Sequence, residues 1–365
     1  MEKIRLLIVD DSALIRKMLT EIFSRSAEID VVGTAPDPLI ARDKIKRLNP
    51  DVLTLDIEMP RMDGLTFLRN LMRLRPMPVV MVSTLTEKGA EATLEALRLG
   101  AFDFAAKPKI DTAEDLSVYA DEIIAKVKAA ARAPVKALEK QAVQHNSDRI
   151  LDVQEKHSAD VVLQPAPAQK HIKSREKLIA LGASTGGTEA IKCVIAMLPE
   201  TMPAIVVTQH LPAAFSASFA RHVDLAARMS VAVARDGQAI LPGNVYIAPG
   251  DRHLLVIKDG AGLICRLHDG PAVNRHKPAV DVMFRSVAQN VGANAISVLL
   301  TGMGADGAKG MQEMHESGAC TIIQDEQSSV VWGMPGEAFK LGCTDYVVAL
   351  ENIANQIMKQ IQQEK

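Results

Sequence analysis

Over its first 127 residues the chain alternates, without a break, between short β-branched runs and helix-length amphipathic stretches. Strands are expected at Arg5–Val9, Val31–Thr34, Val52–Leu55, Val79–Val82 and Phe102–Ala105, with helical patterns at 12–25, 37–48, 64–73, 87–99 and 112–131. Such alternation leaves few options. Each strand is followed by a crossover helix, so the strands run parallel and both faces of their sheet are covered. Five such units predict a flavodoxin-like, doubly wound domain.

The same grammar returns from residue 177. Strands are expected at Leu178–Leu181, Ala204–Thr208, Val245–Ala248, Leu254–Ile257, Leu263–Leu267, Ala295–Leu300, Thr321–Ile323 and Tyr346–Val348. Helical patterns fall at 187–198, 215–227, 279–290, 307–317 and 350–362. The segment from Pro249 to Gly270 reads as an antiparallel hairpin, and the rest as a mostly parallel, doubly wound α/β unit. Between the two blocks the texture changes. There is no glycine between Ala101 and Leu181, and no Phe, Tyr or Trp from Lys128 to Glu176. Pro134, Pro165 and Pro167 punctuate a stretch too poor in large apolar side chains to offset its ordering entropy. The expected organisation is therefore 1–127, a linker at 128–176, and 177–365, with His145, His157 and His171 read as solvated.

Composition excludes several classes. A formal charge of −2 offers no basic face for a nucleic-acid backbone, and 3% aromatic residues offer no stacking platform. The apolar run Ile4–Val9 ends at Asp10-Asp11, too early for a signal peptide, and no stretch approaches a bilayer span. The expectation is a cytoplasmic chain without membrane insertion. Cys193, Cys265, Cys320 and Cys343 are far apart and form no metal-binding or dithiol pair.

In a parallel sheet the carboxyl ends of the strands share one edge. There the first block places Asp10, Asp11 and Asp56, followed by Ser83 and Lys107. Three carboxylates at close range repel unless a cation lies among them, and a hard divalent ion such as Mg2+ suits all-oxygen ligands. Asp56 could then attack a phosphoryl group, with Lys107 and Ser83 holding its oxygens. Singly, each residue has a plainer reading, for instance Asp11 or Ser12 as a helix cap. The motifs Ile8-Val9-Asp10-Asp11-Ser12, Leu55-Asp56-Ile57-Glu58-Met59-Pro60, Met62-Asp63-Gly64, Val82-Ser83 and Lys107-Pro108 resemble the response-regulator receiver domain. That resemblance implies phosphorylation of Asp56 by a partner histidine kinase. It also implies a Mg2+ site made by Asp11, Asp56 and the Glu58 carbonyl, supported by Asp10. Phe104 stands where some receivers carry a switch tyrosine.

In the second block, Gly182-Ala183-Ser184-Thr185-Gly186-Gly187 joins a strand to a helix and fits Gly-x-Ser-x-Gly, a turn that lifts a serine clear of a sheet. The motif alone leaves a dinucleotide loop and a simple helix cap as open alternatives. His210, at the end of the next strand, favours the nucleophile, and Asp306 follows a further strand in Thr301-Gly302-Met303-Gly304-Ala305-Asp306-Gly307. Serine, histidine and aspartate would meet at one crevice, as nucleophilic acyl transfer requires. His222, His253, His268, His276 and His315 are weaker candidates.

Leu181–Ala190, Val206–Phe219, Val245–Val256, Pro278–Phe284, Leu300–Gly310 and Thr321–Glu337 resemble the chemotaxis protein-glutamate methylesterase family, CheB, whose layout is also receiver, linker and catalytic domain. The resemblance implies a Ser184–His210–Asp306 triad with the Met303 amide as oxyanion donor; elbow geometry adds the Thr185 amide. It further implies hydrolysis of glutamate γ-methyl esters on chemoreceptor helices, deamidation of receptor glutamines, no cofactor for the esterase, and inhibition by the unphosphorylated receiver. The alternative is a response regulator whose C-terminal half is a non-catalytic or nucleotide-binding output module.

Overall fold

The computed structural model describes residues 3–59, 62–84, 86–107, 113–133, 157–165, 177–260 and 262–363. The chain divides into two compact units, Met1–Val143 and Gln144–Lys365.

The first unit alternates β1 (Ile4–Val9), α1 (Ala13–Ser24), β2 (Ile29–Ala35), α2 (Pro38–Leu48), β3 (Val52–Asp56), α3 (Gly64–Leu74), β4 (Val79–Ser83), α4 (Glu87–Arg98), β5 (Asp103–Ala106) and α5 (Ala113–Arg132). The strands pair in parallel in the order β2-β1-β3-β4-β5. Every residue of β3 and β4 is buried, as expected of central strands covered on both faces. Each of the first four helices starts on a side-chain cap: Ser12, Asp37, Asp63 and Thr86 accept from amides of the first turn. Ser12 thus does cap α1, while Asp11 beside it stays exposed. Helix α5 continues past residue 127, where Ala130 is buried and Lys128 and Arg132 pair with Glu28 at 2.6 and 2.9 Å.

The second unit contains β6 (Leu178–Ala183), α6 (Gly187–Ala196), β7 (Ala204–Gln209), α7 (Ala213–Asp224), β8 (Ser230–Val233), β9 (Asn244–Ile247), β10 (His253–Asp259), β11 (Gly262–His268), α8 (Val280–Asn290), β12 (Ala295–Leu299), α9 (Ala308–Glu316), β13 (Cys320–Gln324), α10 (Met334–Lys340), β14 (Tyr346–Val348) and α11 (Leu350–Gln363). Seven strands form a parallel sheet in the order β14-β13-β12-β6-β7-β9-β8, and β10-β11 is a separate antiparallel hairpin. Strand order reverses at β6. The chain first builds outward through β7, then returns to the other side of β6 with β12, and such a switch point opens a crevice at the carboxyl ends of the strands. The apolar core beneath it includes Leu178, Val206, Val280, Met283, Phe284, Leu299 and Met311.

Two elements were not expected from the sequence, β8 and α10. The segment 157–165, expected to be linker, carries a 3-10 turn at Ala159–Val161 and is docked on the second unit. Ala159, Val162 and Leu163 pack against Leu255, Val273, Ala279 and Val282, and Arg285 bonds Asp160 Oδ1 at 2.6 Å and the Leu163 carbonyl at 2.7 Å. The rest of the expected linker, including His145 and His171, lies outside the described residues. Among the described residues no helix is long and apolar enough to cross a membrane.

Candidate active site

The tips of β6, β7 and β12 are stitched together by backbone bonds. Ser184 N–H donates to Thr301 O at 3.0 Å, Leu300 N–H to Gly182 O at 2.9 Å, and His210 N–H to Ala183 O at 3.3 Å. Ser184 follows β6 in a tight turn closed by Gly187 N–H on the Ser184 carbonyl at 2.7 Å. Gly186 in that turn has a φ of 77°, and a Cβ there would lie 2.6 Å from Val330. Gly302, after β12, is equally constrained: a Cβ would sit 2.2 Å from the Met334 sulfur and 2.9 Å from Ser184 Cβ. These glycines allow the two loops to approach each other closely.

The three candidate side chains form one hydrogen-bonded chain. Ser184 Oγ lies 3.0 Å from His210 Nδ1, and His210 Nε2 lies 2.8 Å from Asp306 Oδ2. A carboxylate can only accept, so Nε2 carries the proton and the Nδ1 lone pair faces the serine. Asp306 is buried and meets three further donors: Val280 N–H at 2.6 Å, Asp281 N–H at 3.2 Å and Asn274 Nδ2 at 2.9 Å. The first two are the opening amides of α8, whose N-cap residue Ala279 supplies no side-chain cap. Asp306 therefore caps that helix from another loop, an anion at the positive end of the helix dipole. Burial alone would raise the Asp306 pKa, but the hydrogen bond and charge of His210, with His276 and Asn274, outweigh it and hold the carboxyl below its usual range. Neighbouring Asp281 moves the other way, pushed up by burial and by the Asp306 charge, although it accepts from Gly310 N–H and Asn274 Nδ2 at 2.7 Å each.

Sequence reasoning missed one member of this constellation, Asn274, and ranked another, His276, low. Asn274 bonds both aspartates, and the His276 ring stacks on His210 with centroids 3.7 Å apart and planes 12° apart. No local motif marks either one, because only the tertiary fold brings their loop to the crevice. His253, also ranked low, is a buried structural histidine. It donates Nε2–H to Pro271 O at 2.9 Å and accepts Ala279 N–H at Nδ1, 3.2 Å away. The Met303 amide meets no acceptor among the described residues, and Thr185, next to the serine, is buried.

In the first unit, Asp10 and Asp56 are buried while Asp11 is exposed, and one oxygen of each lies within 4.8 Å of the others. Lys107 Nζ bonds Asp56 Oδ2 at 2.7 Å and lies 3.1 Å from Asp10 Oδ2 as an ion pair. That Asp10 oxygen is buried, and the Lys107 ammonium is its charged neighbour. Burial pushes Asp56 up to about 6 against the pull of Lys107, and it also raises Asp10. One ammonium shared by Asp56 and Asp10 does not compensate two buried carboxylates, so this all-oxygen donor set fits a hard divalent cation. Ser83 is buried at the same edge and donates to Thr84 O at 3.4 Å. Glu58 is exposed, with its N–H 3.4 Å from Asp56 Oδ1. Phe104 is buried, with Lys126 Nζ 5.2 Å from its ring centroid.

Fold and geometry define a class: a receiver-type α/β unit joined to an α/β unit that carries a serine-hydrolase relay at its topological switch point. The response regulator receiver family matches residues 6–117, and the CheB methylesterase family matches residues 179–357. The chain belongs to the CheB methylesterase family. It is 57% identical over 371 residues to a protein-glutamate methylesterase/protein-glutamine glutaminase of Hydrogenovibrio crunogenus, covering 98% of this chain and 99% of that one. The Salmonella typhimurium protein of the same name is 51% identical over 361 residues, covering 99% and 98%. The crystal structure of the Thermotoga maritima CheB methylesterase catalytic domain superposes with a TM-score of 0.50 at 36% identity, covering 51% of this chain and 98% of that one. The alternative of a non-catalytic or nucleotide-binding output module is not favoured by these matches.

Proposed function

We propose that this chain hydrolyses glutamate γ-methyl esters, releasing methanol, and deamidates glutamines on cytoplasmic chemoreceptor helices, under control of phosphorylation at Asp56. The observation that carries the reading is the unbroken path from Ser184 Oγ through His210 to Asp306. Ser184 attacks the ester carbonyl while His210 Nδ1 takes its proton, and the imidazolium then returns that proton to the departing methoxide. Water attacks the acyl-enzyme by the same route in reverse order. Asp306 keeps the proton on Nε2 and stabilises the imidazolium, so the two ring nitrogens exchange the places they hold in a chymotrypsin-type relay. The amides of Met303 and Thr185 are the oxyanion donors, each worth about 3 kcal/mol in comparable sites. A primary amide follows the same steps with ammonia as the leaving group.

Residues 1–127, with α5 running on to Arg132, act as the receiver, and 177–365 with the docked 157–165 segment as the catalytic domain. Asp56 accepts a phosphoryl group from a histidine kinase, and Lys107 and Ser83 hold its oxygens. Asp11, Asp56 and the Glu58 carbonyl would hold Mg2+, with Asp10 behind them, and a bound ion would supply positive charge against the incoming phosphoryl oxygens. The reading places the chain in the cytoplasm, where kinase and receptor helices are accessible.

Methanol release from methylated receptor membranes tests it. The wild-type chain turns over, faster once phosphorylated, and Ser184→Ala shows no release above the uncatalysed rate. Turnover by the alanine variant would refute the serine mechanism.

A further inference from the structure

The loop between the β10-β11 hairpin and α8 is built with unusual constraint. Val273 N–H donates to His276 O at 3.0 Å and His276 N–H to Val273 O at 2.8 Å, closing a two-residue turn. Its central residues, Asn274 and Arg275, have φ of 52° and 70°. A type I′ turn requires positive φ at both positions, which Asn tolerates and Arg does not favour. Strain of this kind persists only where surrounding contacts over-determine the conformation.

Those contacts converge on the relay. The Asn274 side chain donates to Asp281 at 2.7 Å and to Asp306 at 2.9 Å, and its backbone N–H donates to His157 O at 3.1 Å. Val273 is fully buried against Ala159, Leu255, Ala279 and Val282. The turn is thus anchored to the same carboxylate that His210 binds, and it presents His276 flat against the His210 ring, 3.7 Å away. The two hydrogen bonds of His210 lie along the edge of its ring, one at each nitrogen. They leave tilting of the ring out of its plane weakly restrained, and a stacked aromatic face opposes that motion.

We infer that His276 is a positioning residue for the hydrolysis, clamping the His210 imidazole between Ser184 and Asp306. The inference rests on the triad reading above. It acts through another residue, so its loss lowers the rate of the chemical step and leaves substrate binding alone. Because the clamp is the ring face, a different aromatic ring replaces it and a non-aromatic polar side chain does not.

The test is kcat and KM for methanol release by the full-length chain and by its His276→Ala, His276→Phe and His276→Gln variants, with thermal unfolding of each. A lost stack at the strong end of its usual range corresponds to about tenfold in rate. His276→Ala and His276→Gln are expected to lose about tenfold in kcat with KM unchanged within about twofold, and His276→Phe to stay within about threefold of wild type. If His276→Ala fails to fold, the Phe and Gln variants decide between them. Equal kcat for Phe and Gln, or a fall expressed in KM alone, overturns the inference. Ser184→Ala run alongside separates the two readings: residual turnover there sinks the triad, whereas a dead Ser184→Ala beside a fully active His276→Ala sinks only the clamp.

Discussion

Replacing Asp306 by asparagine changes one charge and almost no volume, and the geometry specifies which way the new amide turns. Oδ1 faces donors from Asn274 and Asp281, while Oδ2 faces donors from Val280 and His210. If the NH2 group takes the Oδ1 place, it opposes two fixed donors, each orphaned at about 1–3 kcal/mol. In the Oδ2 place it opposes only Val280 N–H, because His210 can move its proton to Nδ1 and accept at Nε2. The fold therefore prefers the second orientation, which turns an N–H toward Ser184 and removes the base. The expected result is a fall in kcat of about 10⁴, the size seen for the equivalent tautomer error in a known triad, with a stability loss of about 1–3 kcal/mol. Methanol release measures the first and urea unfolding the second. A native carboxyl held low stabilises above the usual 3.8 and loses that contribution as pH falls below it, so the variant should also lack this part of the acid limb. Retention of more than about a tenth of wild-type kcat would refute the argument.

Three further outcomes follow from other sites. Burial lowers the His253 pKa below its usual 6.5, and a histidine depressed in the fold contributes stability above 6.5 that is lost as pH falls through it. Unfolding midpoints at pH 8 and pH 5 should therefore differ less in His253→Asn than in wild type. Asp56, raised from 3.8 to about 6, contributes stability below 3.8 that is gone above 6, a gap of up to about 3 kcal/mol. Asp56→Asn should thus abolish phosphoryl incorporation yet raise the receiver's unfolding midpoint at pH 7 in the absence of divalent cation; an unchanged or lower midpoint would contradict the burial argument. Arg285, nearly buried, holds Glu313 at 2.6 Å as well as Asp160 and the Leu163 carbonyl. Arg285→Ala should cost about 2 kcal/mol, less than a fully buried pair because both carboxylates are partly solvated, and it should expose residues 158–163 to limited proteolysis.

Features with a local chemical cause were readable in the sequence. Parallel crossovers leave a regular periodic trace, and the glycines beside Ser184 and after Leu300 mark turns that no other residue fits. What escaped notice was decided elsewhere in the chain. Strand β8 is four residues at a sheet edge with one side exposed, so it lacks a buried run, and α10 is only seven residues, with Gly333 and Gly336 at its start reading as a turn. The 157–165 segment looks like linker because its partner, Arg285, is remote in sequence. His276 carries no motif, and its stacking on His210 exists only once the loop after the β10-β11 hairpin has reached the end of β7. The acidic edge of the first unit was legible for the opposite reason: each carboxylate or ammonium sits at a strand end, where topology alone brings them together.

The relay draws its hydroxyl, imidazole and carboxylate from β6, β7 and the loop beyond β12, three neighbours in the sheet but far apart along the chain. During synthesis the serine emerges long before the aspartate that completes its partner, and β12 must slot in beside β6 before any ester can be cleaved. On the triad reading, a chain whose β12 has not yet paired with β6 is inert toward glutamyl esters. On the same reading, turnover therefore reports that β12, β6 and β7 have come together, so ester cleavage can serve as a readout of this part of the chain's own folding.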